Sequence, residues 1–177
     1  MSKEKFIIKD LGTIHLGEKV FVTDPCYDTS TWRQAELHNV SPGAYRCFII
    51  LRDEGTWGYR VAELHAVKEE FLNTYSSLSK IPYSIDPFPA TIGVDSGQCG
   101  IFEAEYYEHN QPDNDYGNPD SWYKRVCNIT INSAQAGTVD NSGVVTSSGF
   151  GDGCYNLYTA KENDKIVAMK VVFIERN

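Results

Sequence analysis

The chain of 177 residues contains no C-x-x-C pair, no apolar run near the roughly 18 residues that a membrane-spanning helix needs, and no basic stripe. Its five cysteines (26, 47, 99, 127 and 154) are odd in number, and no two stand at ligand-pair spacing, so neither a disulfide framework nor a zinc site is expected. The opening residues, Met1 to Asp10, have no signal-peptide core, which leads to the expectation of a cytoplasmic protein with reduced thiols. Sixteen Lys and Arg against 24 Asp and Glu give a net charge of −8. Such a chain has little with which to displace counterions from phosphates, so neither duplex nucleic acid nor membrane is expected as a partner.

Several catalytic signatures are missing too. Gly149-Phe-Gly-Asp-Gly153 lacks the Gly-Lys-Ser/Thr ending of a phosphate-binding loop, and no helical pattern follows it as a dinucleotide fingerprint requires. There is no G-x-S-x-G elbow, and the four histidines (15, 38, 65 and 109) stand in no recognised pairing with a cysteine. Asp113 to Asp120 is rich in oxygen donors, but has no acid at the twelfth position of a calcium loop and reads as a solvated turn.

What is present is β-forming. Eleven Tyr, 8 Phe and 3 Trp accompany short Val, Ile and Thr runs punctuated by glycine. The expected fold is mainly β (all-β or α+β), an antiparallel β-sandwich or partly closed barrel with one or two short covering helices, as one domain over 1–177. Phe6 to Thr23 reads as two or three short strands, broken at Asp10-Leu-Gly12 and at Gly17-Glu18. Ala44 to Arg52 and Trp57 to Ala66 read as a hairpin, and Val67 to Tyr75 switches to helical spacing. Thr29 to Leu37 is expected as a short helix capped by Ser30 or Thr31, and Trp122 to Asn132 as a strand. Ile81-Pro, Asp86-Pro and Phe88-Pro mark an irregular connection. Ile166 to Glu175, apolar on both faces, reads as a central strand that closes the core.

Three boxes stand out, each an acid at a strand end beside glycine or proline: Asp24-Pro-Cys-Tyr27, Gly93-Val-Asp-Ser-Gly-Gln98, and Ser147-Ser-Gly-Phe-Gly-Asp-Gly-Cys-Tyr155. Strand ends meet at a sheet rim, so Asp24, Asp95 and Asp152 could share one pocket despite their separation in sequence. Clustered carboxylates repel, and such a pocket would need a cation, a cationic ligand or a shared proton. Alternatively each Asp accepts backbone N–H bonds within its own turn. The glycines form either a wall that a flat ligand approaches or the corner of a β-bulge. Cys26, Cys99 and Cys154 lie within or beside the boxes, but buried thiols are the ordinary state of cysteine.

In this order the boxes resemble an uncharacterised family, a domain of unknown function found in bacteria and their phages. The third box is the most specific part, and the family usually has Ser where Cys154 stands here, which speaks against a catalytic Cys154. The resemblance implies a compact β-rich domain with no established chemistry, and makes the three acids the residues of interest.

The leading functional expectation is a small-ligand-binding module. Its rim pocket would draw on Asp24, Tyr27, Asp95, Ser96, Gln98, Ser148, Phe150, Asp152 and Tyr155, and would hold a nucleotide-like signal or another polar small molecule. Aromatic faces stack on planar groups and carboxylates accept N–H donors, while the acidity of the boxes opposes an anionic ligand unless a metal or Arg33, Arg46 or Lys124 offsets it. One alternative is a metal-dependent hydrolase in which the same acids hold a divalent ion such as magnesium or calcium. Another is an immunity- or inhibitor-type domain whose acidic surface meets a protein partner.

Overall fold

The computed structural model describes residues 5–85 and 91–176, and shows two antiparallel β-sheets packed face to face. It is a β-sandwich with 47% of residues in strands, and among the described residues neither sheet closes into a barrel. The first sheet runs β1 (Phe6–Leu16), β4 (Gly43–Asp53), β5 (Tyr59–Lys68), β12 (Lys165–Val172), β11 (Gly153–Glu162) and β6 (Ser84–Ile85), and β7 (Thr91–Val94) also pairs with β11. The second runs β3 (Ala35–Leu37), β2 (Val20–Thr23), β8 (Gln98–Glu103), β10 (Gly143–Ser147) and β9 (Ala136–Val139). Among the described residues no helix is long and apolar enough to cross a membrane.

The main core lies between the sheets. Ile14, Ile49, Leu64, Met169 and Val171 of the first sheet meet Val22, Ile101 and Val144 of the second, all of them buried. Each outer face is also covered. Helices α2 (Ala104–Asn110) and α3 (Trp122–Thr130) lay Tyr107, Trp122 and Val126 on Phe21, Phe102 and Val145 of the second sheet. Helix α1 (Glu69–Leu72) and the segment after it place Phe71, Leu78 and Ile81 over Val67, Val167 and Ala168 of the first. As expected of a strand covered on both sides, β12 lies inside its sheet, between β5 and β11.

Three elements depart from the sequence expectation. The break at Asp10–Gly12 is a bulge inside one continuous β1: Gly12 takes φ +101° and its N–H reaches Asp10 Oδ1 at 2.9 Å. Residues 122–130 form a helix rather than a strand. Ser121, fully buried, caps it by accepting from Lys124 N, and Trp122, Val126, Cys127 and Thr130 fall on one buried face. The cap and the i, i+4, i+8 spacing outweighed the aromatic and β-branched content. Residues 29–34 form turns instead of a helix, followed by β3. There Asp28 accepts from Ser30 N at 2.9 Å and Ser30 Oγ at 2.6 Å, so the local side-chain bond competes with helix formation. Asp86-Pro and Phe88-Pro lie outside the described residues.

Candidate functional site

The three boxes meet at one rim of the sandwich, joined by bonds of different kinds. Box one is tied to box two through Asp24, which is 0% exposed. Its Oδ1 accepts from Cys26 N at 2.8 Å and Ser96 Oγ at 2.7 Å, and its Oδ2 from Asp95 N at 2.9 Å and Ser96 N at 2.8 Å. Box two is tied to box three by the antiparallel pairing Val94↔Gly153 and Gly93↔Cys154, and by Ser148 N donating to Gly97 O at 3.0 Å.

The expected three-carboxylate pocket is therefore not what forms. Asp24 is a clamp: protein donors occupy both of its oxygens and none of it faces the rim. Asp95 is exposed and its Oδ2 accepts from the Tyr27 hydroxyl at 2.6 Å. Asp152 is exposed on the glycine loop. Among the described residues, no group of three or more His, Cys, Asp or Glu side chains is placed to hold a metal ion. In the donor-rich loop at 113–120 two side-chain oxygens close turns of their own, Asp115 accepting from Gly117 N at 2.8 Å and Asn118 from Asp120 N at 2.9 Å.

Other expected ligand residues also have internal duties. Gln98 is buried, and its carbonyl accepts from Thr130 Oγ1 at 2.8 Å, which ties β8 to α3. Ser148 is buried and donates through Oγ to Gly151 O at 2.8 Å; Tyr155 donates to the same carbonyl at 2.5 Å while its ring meets Phe173 edge-on. These bonds fold the third box into a closed turn, completed by Gly151 N to Ser148 O at 2.8 Å. Gly149 takes φ +58° there, and a Cβ would stand 3.1 Å from both Ile174 Cγ1 and Phe173 Cβ, so the turn needs glycine for conformation and for space. Phe150 is exposed at the tip, 6.0 Å from the Arg60 guanidinium.

What the rim does offer is a groove of about 390 Å3 between boxes one, two and three. Tyr27, Trp32, Arg33, Asp95 and Cys154 line it, with Gly93 in its floor. Of the residues expected from sequence, Tyr27 and Asp95 belong to it, as does Arg33, one of the three cations offered against the acidity of the boxes; Trp32 was missed with the turn that carries it. That turn is fixed. Gln34 Nε2 donates to Asp28 O at 2.8 Å, Thr23 Oγ1 to Gln34 Oε1 at 2.9 Å, and Gly93 N to Arg33 O at 2.8 Å. The box-one backbone beneath Tyr27 is equally fixed, with Trp122 Nε1 on Pro25 O at 2.7 Å and Tyr107 Oη on Tyr27 O. A Cβ on Gly93 would come within 2.9 Å of Arg33 Cβ, so glycine is what lets the Arg33 stem lie on β7.

Trp32 is 78% exposed, and the Arg33 guanidinium lies 4.3 Å from the centre of its ring. Arg33 also donates to the Cys154 sulfur. Partial burial and the adjacent Asp95 carboxylate hold the Tyr27 hydroxyl well above its usual range, so it stays protonated and donates. Burial, then Asp24, pushes the Cys26 thiol up to about 12, which removes it as a nucleophile near neutral pH. The groove thus combines a cation on an exposed indole face with a carboxylate acceptor and an aromatic wall, all on bonded loops. Comparison with family models, curated proteins and solved structures finds no match for this chain.

Proposed function

We propose that this protein binds a small planar, anionic molecule of the nucleotide type in the Tyr27–Trp32–Arg33–Asp95 groove. The observation that carries the reading is the Trp32–Arg33 platform beside a carboxylate. An indole left 78% exposed and stacked with a guanidinium at 4.3 Å offers its surface to a flat ring and a positive charge to a phosphate. The Asp95 carboxylate accepts, and no described residue donates to its Oδ1 beside the Tyr27 bond, which suits a ring edge bearing adjacent N–H donors, as in guanine. The volume of about 390 Å3 falls in the ~300–1,000 Å3 range of small-molecule sites. Arg33 supplies the cation that offsets the acidity of the boxes, and the groove needs no metal for that purpose.

Asp24, Ser96, Ser148 and Tyr155 contribute by holding the loops, which lowers the ordering cost of binding. In the bacterial or phage setting that the three boxes suggest, such a module would sequester a signal nucleotide. Calorimetric titration with guanosine monophosphate tests the reading. Saturable binding is expected, weakened about 10- to 100-fold by Arg33→Ala, as befits a charge-assisted hydrogen bond worth about 1.5–3 kcal/mol. Adenosine monophosphate, whose edge does not match the Asp95 acceptor, should bind more weakly. Absence of saturable heat, or equal affinity in Arg33→Ala, would overturn the proposal.

A further inference from the structure

A second constellation lies away from the boxes, on the outer face of the first sheet. There β5, β12 and β11 run side by side, and the pairings His65↔Lys170 and Lys170↔Tyr158 set three side chains in one cross-strand row. Glu63, two residues before His65, joins them on the same face. The segment 78–83 closes over this row and leaves a cavity of about 380 Å3.

The polar groups form a chain. His65 Nε2 meets Glu63 Oε2 at 2.7 Å, His65 Nδ1 meets the Tyr83 hydroxyl at 3.1 Å, and Arg176 Nε donates to Glu63 Oε1 at 3.0 Å. Burial, partly opposed by the Glu63 bond, lowers the basicity of His65 and keeps it neutral. The neutral ring gives its Nε2 proton to Glu63, so Nδ1 accepts from Tyr83 and the phenol oxygen is left to accept from a ligand.

Lys170 has no such partner. Its ammonium lies 4.9 Å from the Tyr83 ring centre and 4.8 Å from that of Tyr158, and no described residue gives it an ion pair or hydrogen-bond acceptor. Glu63 is committed to His65 and Arg176, and Glu175, at the cavity edge, accepts from Asn156 at 3.4 Å. The Glu63 and Glu175 carboxylates act on this half-buried ammonium only from beyond ion-pair distance, so it is incompletely compensated, and an oxyanion entering the cavity would complete it.

The geometry points to this cavity as a second binding site, for a small hydroxycarboxylic acid whose carboxylate meets Lys170 and whose hydroxyl donates to Tyr83. It is independent of the rim groove, since none of its residues belongs to the boxes. The test is a calorimetric titration with lactate at matched ionic strength. Saturable lactate binding is expected in the wild type and unchanged in Trp32→Ala. Lys170→Met should lower the affinity at least tenfold, and Lys170→Gln serves as a second variant of different polarity. Tyr83→Phe should weaken lactate but leave acetate, which lacks the hydroxyl, unaffected. Three outcomes overturn the assignment: no saturable lactate binding, equal affinity in both Lys170 variants, or inorganic phosphate binding as tightly as lactate.

Discussion

Replacing Asp24 by Asn separates a structural clamp from a ligand-binding carboxylate. The side chain is 0% exposed and accepts four hydrogen bonds, two on each oxygen. Asparagine keeps one oxygen and turns an amide NH2 towards the donors on the other side, either Cys26 N with Ser96 Oγ or Asp95 N with Ser96 N. Ser96 Oγ can rotate and accept instead, but a backbone N–H cannot. One or two buried donors are thus left unsatisfied, at about 1–3 kcal/mol each, and the surviving bonds lose their charge assistance. The expected loss is about 2–6 kcal/mol, a large fraction of the roughly 5–15 kcal/mol that stabilises a domain. Urea unfolding measures it as a lower midpoint at unchanged slope. Asp95→Asn and Asp152→Asn, at exposed positions, should stay within about 0.5 kcal/mol of wild type. An Asp24→Asn protein as stable as these two would refute the clamp.

Other perturbations follow from the same geometry. The His65 and Glu63 pair makes stability fall with acid: burial works to raise the Glu63 carboxyl, but the His65 bond and the Lys170 and Arg176 charges overcome it and set it at about 2 against an ordinary 4.5. A depressed carboxyl stabilises fully above 4.5 and loses that contribution as pH falls towards 2, about 3 kcal/mol in all; lowered His65 basicity acts in the same direction below 6.5. Urea midpoints across pH 7 to 2 should show this slope, and Glu63→Gln should flatten it between 4.5 and 2. Gly149→Ala should cost about 1–3 kcal/mol from the left-handed backbone and the contacts with Phe173 and Ile174, read in the same assay. Ser121→Ala should cost about 1 kcal/mol by uncapping α3, with a matching loss of hydrogen-exchange protection at Lys124.

The β-sandwich, the hairpins and the buried last strand were legible because strand periodicity and turn residues are local signals. At Asn163-Asp164 the chain takes φ of +50° and +63°, the twist that a tight β11–β12 hairpin requires of such residues. The convergence of the boxes was legible too, since each ends a strand. What each acid does was not. Asp24, Asp95 and Asp152 share a sequence context, and only tertiary bonding makes the first a buried clamp and leaves the other two exposed. Trp32 escaped because the Asp28–Ser30 bond that opens its turn was weighed less than the helical spacing around it. The Glu63–His65 pair carried a readable signal, two polar residues at i and i+2 on an otherwise apolar strand. Its meaning depended on Lys170 and Tyr83, which only the sheet register and the covering segment bring near.

The groove is tested most directly by the indole N–H resonances of the three tryptophans during titration with guanosine monophosphate. Trp32 lines the groove, Trp57 is exposed in the β4–β5 loop, and Trp122 is buried with its N–H on Pro25 O. The account predicts a saturable shift of the Trp32 signal while those of Trp57 and Trp122 hold still, and loss of that shift in Arg33→Ala. Three unmoved signals, or movement of Trp57 in place of Trp32, would contradict it.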